Sequence, residues 1–291
     1  MKHLTKIASL TDNDIKDIFD MATAYAKTPF IKVLNGTVMA NLFYEPSTRT
    51  SSSFAAAALR LSASVIGINE VNYSSVVKGE TLEDTIRTLG SYADIIVLRH
   101  PNVGAADRAA SVSPVPIINA GDGHGEHPTQ ALLDAFTIAQ RHDINVPLHV
   151  GFVGDLKYGR TVHSLINLLP RLVKNLHVHL IAPYEVQMAE DEFSIPVKKH
   201  HIKELPNIIP QLDVLYATRI QKERFSGSSD LEYCITKNMM DMAKPTLSLM
   251  HPLPRNSEIP TEIDTDPRAA YFEQMKNGMF IRMAILSWIL R

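Results

Sequence analysis

Apolar residues along this chain fall into two alternating rhythms. Ile15, Ile18, Phe19, Ala22 and Ala26 recur at helical spacing behind Thr11 and Asp14, which stand apart by the interval of a capping box. A helix is predicted there. Short apolar runs follow over 38–43, 64–68, 94–98 and 116–119, with helical patterns at about 51–61, 80–91 and 104–112 between them. A long helix over 128–141 precedes a second round: runs over 148–153, 177–181, 214–217 and 246–250, a helix over 161–172, and a closing helix over 278–290 that carries Met279, Phe280, Met283, Ala284, Leu286 and Ile289. Short continuous apolar runs alternating with helices predict parallel sheets covered on both faces. The expected fold class is α/β, with two tandem parallel-sheet domains joined near Ala131. In open sheets of this kind ligands bind beyond the carboxyl ends of the strands, so those segments hold the candidate chemistry.

Composition narrows the function classes. The chain has 291 residues, 45% of them hydrophobic, enough to fill about two cores and to exclude disorder as the main state. Lys plus Arg number 29 and Asp plus Glu 31, a net charge of −2. Such a balance gives no bulk attraction for nucleic acid or an anionic membrane; any anion must be held by a local cluster. The one cysteine, Cys234, makes neither an internal disulfide nor a cysteine zinc site. The polar N-terminus does not read as a signal peptide, and no apolar stretch is long enough to cross a bilayer. A soluble cytoplasmic protein is expected.

Four arginines follow strands. After the first run, Glu45-Pro46-Ser47-Thr48-Arg49-Thr50 opens an alanine-rich helix, where free N–H groups, hydroxyls and a guanidinium suit an anion; a generously supplied N-cap is the plainer reading. Arg99 follows the third run and Arg219 the third run of the second half, and each could equally be a surface ion pair. Asn119 to Gln130 combines Gly121, Gly123 and Gly125, which let backbone approach a ligand, with His127 and Gln130 at a helix mouth. Asp122, His124, Glu126 and His127 are of metal-ligand type, but no compact zinc spacing accompanies them, so neither metal nor cofactor is expected. Gly154 to Thr161 nearly matches the phosphate loop GxxxxGK[ST], with Arg160 where lysine is required and Asp155 adding a negative charge. A planar guanidinium there suits a carboxylate better than a nucleotide triphosphate. Lys78 tips a polar loop, and His251-Pro252-Leu253-Pro254-Arg255 stiffens the last strand's exit. Together these residues predict a crevice for small, highly anionic substrates.

Phe43-Tyr44-Glu45-Pro46-Ser47-Thr48-Arg49-Thr50, His127-Pro128-Thr129-Gln130, Gly154 to Ser164 and His251 to Arg255 resemble the aspartate/ornithine carbamoyltransferase family, in order and over about residues 4–291. Arg219 to Arg224, and Pro252 where ornithine-specific members usually carry cysteine, resemble the aspartate branch. Ser51 and Ala55 depart from members that carry a charged residue and a glutamate there. The resemblance implies a carbamoyl phosphate-binding domain over 1–130 plus the C-terminal helix 276–291, an aspartate-binding domain over 131–275, and an active site in the cleft between them. It implies that Ser47, Thr48, Arg49 and Thr50 hold the phosphate, that Thr50, Arg99 and His127 reach the carbonyl oxygen, and that Gln130 with the Pro252–Pro254 turn holds the amino group. Arg49, Thr50, Arg99 and His127 would be the catalytic set. Arg160, Arg219, Gln221 and Lys78 would bind L-aspartate, with Ser74 and Lys78 donated by the adjacent chain of a homotrimer. The expected reaction is carbamoyl transfer to the α-amine of L-aspartate in de novo pyrimidine biosynthesis. Ornithine as acceptor and a catalytically silent scaffold are the alternatives. Attachment of a regulatory chain or a dihydroorotase is left open.

Overall fold

The computed structural model describes residues 1–69, 79–123, 125–189, 195–220 and 232–291. Ser74, Lys78, His124 and Gln221 lie outside this set. The described chain forms two compact units, residues 1–133 with 276–291 and residues 134–275.

The first unit holds a four-stranded parallel sheet of β1 (Val38–Phe43), β2 (Ser64–Asn69), β3 (Ile95–His100) and β4 (Ile117–Asp122), in the order β2-β1-β3-β4. Its helices are α1 (Asp12–Lys27), α2 (Thr48–Arg60), α3 (Leu82–Leu89), α4 (Ala105–Val112) and the start of α5 (Pro128–Arg141). The capping box forms as expected: Asp14 N donates to Thr11 Oγ1 at 3.1 Å and Thr11 N donates to Asp14 Oδ2 at 2.9 Å. The face that α1 buries is shifted, however. Ile15, Ile18, Ala22 and Tyr25 are covered, while Ala26 is exposed. Tyr25 is drawn in because its hydroxyl donates to Ser287 Oγ at 2.8 Å, which gives the ring's polar end a partner.

The second unit holds five parallel strands, β5 (Leu148–Val153), β6 (Leu176–Ala182), β7 (Val197–His201), β8 (Val214–Ala217) and β9 (Ser248–Met250), in the order β7-β6-β5-β8-β9. Its further helices are α6 (Arg160–Leu168), α7 (Leu205–Ile208) and α8 (Lys237–Met242). The patterning does not reveal β7, whose sequence Val-Lys-Lys-His-His lacks apolar alternation. It is an edge strand, and cationic side chains guard such an edge against pairing with another chain.

The closing helix, α9 (Tyr271–Leu290), begins seven residues before the expected start at 278. Gly278 lies inside the helix, where its missing side chain leaves room for Arg282 Nη1 and Leu133, which a Cβ there would meet at 2.7 and 3.0 Å. The helix is apolar around most of its C-terminal half, with Ile281, Met283, Ala284, Ile285 and Leu286 all buried. Arg282 also donates to Ser53 Oγ at 3.0 Å and lies over the Phe54 ring, which fixes the C-terminal segment to α2.

In each sheet the strand order reverses once. The first reverses at the β1/β3 boundary and the second at β5/β8. A crevice opens at such a switch point because the flanking connections leave in opposite directions.

Candidate active site

Seven of the residues expected to handle carbamoyl phosphate stand at or just beyond the carboxyl ends of strands of the first unit. Ser47 precedes α2, and Thr48, Arg49 and Thr50 form its first turn, directly beyond β1. The Ser47 side chain makes no capping hydrogen bond, and the first turn contains no acidic residue. An N-cap in surplus does not describe this terminus, whose dipole and donors favour an anion. Asn41, buried in β1, donates through Nδ2 to Ser51 Oγ at 2.9 Å and Ser51 O at 3.2 Å, which anchors the helix start to the sheet. Partial desolvation pulls the Arg49 pKa below its ordinary value. Among the described residues no carboxylate pairs with it, so an incoming anion would supply the missing countercharge.

Arg99 is the next-to-last residue of β3, opposite Phe43 in β1, so the strand runs one residue beyond it to His100. Its Nε sits 3.3 Å from Glu45 Oε2. His127 immediately precedes α5; its carbonyl accepts the Gln130 and Ala131 N–H groups at 3.0 and 3.1 Å. The ring is buried, with Nδ1 3.5 Å from Thr129 Oγ1. Gln130 and Thr50 are buried as well.

The glycine-rich turn before His127 has an internal purpose. Asp122 accepts Gly104 N through Oδ2 at 2.8 Å, and Glu126 N and Asn119 Nδ2 through Oδ1 at 3.0 and 3.2 Å. Glu126 accepts Ile7 N at 2.9 Å. Gly123 has φ +54°, and a Cβ there would stand 2.4 Å from the Pro101 carbonyl. The close approach is thus to the β3 exit. Among the described residues no group of three His, Cys, Asp or Glu is disposed to hold a metal ion.

In the second unit, Arg160 opens α6 and Arg219 stands two residues beyond β8. Their strands are neighbours, with Val153 opposite Ala217, and Thr218 N donates to Val153 O at 2.8 Å. Gly154, at φ +117°, allows this approach: a Cβ would lie 2.2 Å from Thr218 O. Two arginine residues therefore stand on the connections that flank one switch point. The phosphate-loop alternative fails on backbone accounting. Leu156 N and Lys157 N donate to Val186 O at 3.1 and 2.8 Å, Tyr158 N to Asp155 Oδ1 at 3.0 Å, and Arg160 N to Tyr158 O at 3.0 Å. A phosphate cradle needs those N–H groups unspent.

Pro252, Leu253 and Pro254 form the turn after β9. Leu253 adopts φ +55°, and its N–H donates to His251 Nδ1 at 2.8 Å. His251 Nε2 bonds Glu258 Oε1 at 2.9 Å, with both side chains buried. The His251–Glu258 support is missed by motif reading; its signal is a glutamate seven residues beyond a histidine that closes an apolar strand.

The family described as "Aspartate/ornithine carbamoyltransferase, carbamoyl-P binding domain" matches residues 2–140, and its "Asp/Orn binding domain" matches residues 147–289. The chain belongs to the aspartate/ornithine carbamoyltransferase family. It is 44% identical to the aspartate carbamoyltransferase catalytic subunit of Alkaliphilus oremlandii, over 99% of this chain and 91% of that one. It is 45% identical to the multifunctional protein CAD of Squalus acanthias, over 99% of this chain and 13% of that much longer one. A solved structure of Trypanosoma cruzi aspartate transcarbamoylase in complex with carbamoyl phosphate and aspartate matches at TM-score 0.92 and 42% identity, covering 100% of this chain and 97% of that chain. By family this carbamoyltransferase has two parallel-sheet domains, as its sequence patterning predicts. Among the described residues, no helix is long and apolar enough to cross a membrane.

Proposed function

We propose that this chain is an aspartate carbamoyltransferase that moves the carbamoyl group of carbamoyl phosphate to the α-amine of L-aspartate, giving N-carbamoyl-L-aspartate and phosphate in pyrimidine biosynthesis. The observation that carries this reading is the placement of arginine residues beside the switch point of each sheet, Arg49 and Arg99 in the first and Arg160 and Arg219 in the second, in a chain of this family.

The α2 terminus, with Ser47, Thr48, Arg49 and Thr50, receives the phosphate. Arg99, His127 and Thr50 donate to the carbonyl oxygen, while Gln130 and the carbonyls of Pro252 and Leu253 accept from the amino group. Arg160 and Arg219 grip the aspartate carboxylates, assisted by Gln221 and by Ser74 and Lys78 from a neighbouring protomer. The family resemblance implies a homotrimer with such shared sites, and the enzyme acts in the cytoplasm. The first unit serves carbamoyl phosphate and the second serves aspartate.

The deprotonated amine attacks the carbamoyl carbon, a tetrahedral oxyanion forms, and the C–O bond to phosphate breaks. The departing phosphate takes the amine proton. Catalysis rests on positioning and on charge stabilisation: alignment of two substrates can supply up to about 7–11 kcal/mol, and each oxyanion donor about 3–4 kcal/mol. Phosphate release measured with carbamoyl phosphate and either aspartate or ornithine tests the reading. Turnover with aspartate alone is expected. Preference for ornithine would reassign the acceptor, and no release with any amine would leave a silent scaffold.

A further inference from the structure

A chain of buried polar groups in the second unit ends on the Pro252–Pro254 turn. Asp134, on α5, is fully enclosed, as are Gln274 on α9 and Tyr216 on β8. Asp134 Oδ2 accepts the Tyr216 hydroxyl at 2.7 Å, and Oδ1 accepts Gln274 Nε2 at 2.6 Å. Gln274 Oε1 in turn accepts the backbone N–H of His251 at 3.0 Å. The direction of this chain follows from its one unambiguous donor. A backbone N–H only donates, so Gln274 presents its oxygen to His251 and its NH2 to Asp134. Asp134 Oδ1 must then accept, which requires an unprotonated oxygen. Beyond His251 the order continues: the ring accepts Leu253 N–H at 2.8 Å and bonds Glu258, which accepts Asn256 N–H at 3.1 Å. The turn that results holds Leu253 in the left-handed region, at φ +55°, where a β-carbon is disfavoured unless neighbours enforce it.

A buried carboxylate is costly unless fully bonded, and an apolar residue at position 134 would fill the surrounding Ala-Leu-Leu-Asp-Ala-Phe run of α5 without that cost. We infer that Asp134 and Gln274 are positioning residues for carbamoyl transfer: through the His251 N–H they set the direction of the Pro252 and Leu253 carbonyls that receive the carbamoyl amino group. This inference rests on the role proposed above for that turn.

The hydrogen-bond polarity provides the test. Asp134→Asn keeps an oxygen for only one of its two donors: an NH2 aimed at Gln274 forces Gln274 to turn over and confront the His251 N–H with a second donor, and an NH2 aimed at Tyr216 makes that hydroxyl accept and strips its proton of this acceptor. Asp134→Asn combined with Gln274→Glu restores the three bonds, Tyr216 to position 134, position 134 to position 274 and His251 N–H to position 274, with the same net charge. The amide introduced at position 134 donates to one oxygen of the carboxylate introduced at position 274, and His251 N–H donates to the other. Kinetics with carbamoyl phosphate and aspartate, together with thermal midpoints, are measured for the wild-type chain, both single variants and the double variant. The expected result is a 10- to 100-fold fall in kcat for Asp134→Asn, the scale of about 1 Å of misplacement, with a raised KM for carbamoyl phosphate and recovery to within about 5-fold in the double variant. A purely structural role would lower the thermal midpoint and leave kcat per folded enzyme unchanged; that outcome overturns the inference. So does a double variant that folds and stays as slow as Asp134→Asn. If Asp134→Asn fails to fold, the folded double variant decides alone, near-wild-type kcat supporting the relay and a loss above 10-fold ending it. A wild-type chain inactive with both substrates removes the functional reading itself, an outcome distinct from active wild type with an unaffected Asp134→Asn variant.

Discussion

Acidification should weaken the second unit, and His179 makes the largest single contribution, beside smaller ones from His142 and His149, which burial also holds below their ordinary pKa. His179 lies in β6 with 1% of its surface exposed, inside a row of imidazoles. Its Nε2 is 3.3 Å from His149 Nδ1 and its Nδ1 is 3.1 Å from His200 Nε2, while His177 stacks on His149 with ring centroids 4.4 Å apart. Burial, followed by the positive potential of His200, His149, Lys198 and His177, pushes the His179 pKa down from 6.5 to about 4. Glu204 stands 3.9 Å from His200, and Asp213 and Lys244 act on His149 from the β8 side. Because the folded pKa lies below the unfolded one, the unfolded chain binds more protons between pH 6.5 and 4. The contribution of His179 is therefore complete above pH 6.5 and is lost as pH falls through that window. A shift of about 2.5 units at about 1.36 kcal/mol each amounts to roughly 3 kcal/mol. Urea unfolding of the wild-type chain and of His179→Gln, at pH 7.5 and pH 4 and one fixed protein concentration, measures it. The stability lost between the two pH values should be smaller in the variant by roughly 3 kcal/mol. Parallel losses in the two proteins would refute the reasoning.

Three further outcomes are expected. Arg49→Ala removes a charge-assisted contact worth about 2–3 kcal/mol, so the KM for carbamoyl phosphate should rise by roughly 30- to 150-fold, while the thermal midpoint holds because the side chain is exposed; an unchanged KM would displace the phosphate from α2. Gly154→Ala would force a Cβ to within 2.2 Å of Thr218 O at φ +117°, costing about 2–4 kcal/mol in urea unfolding and raising the KM for aspartate by displacing the neighbouring Arg219; wild-type stability would contradict that packing. His127→Asn should lower kcat by about 10²- to 10³-fold without moving the acidic limb of the pH–rate profile, whereas a shifted limb would make His127 a general base.

Sequence patterning and the structure agree where one residue's surroundings decide its state. Apolar runs become the parallel strands, the Thr11–Asp14 interval becomes a capping box, and arginines following strand runs lie at sheet ends because chain direction alone puts them there. These properties are local, set by side-chain periodicity and by the handful of residues around a helix terminus. Tertiary structure decided the rest. The edge strand β7 exists because β6 offers it a partner, and its own Val-Lys-Lys-His-His has no strand rhythm. Gly154 to Thr161 nearly matches a phosphate loop in letters, with Arg160 in place of lysine, yet Val186, twenty-six residues beyond Arg160, takes up two of its N–H groups. Asp134 sits in an apolar helical run and finds its partners 82 and 140 residues away. A carboxylate's worth depends on which donors folding brings to it, and linear spacing carries no record of partners so distant.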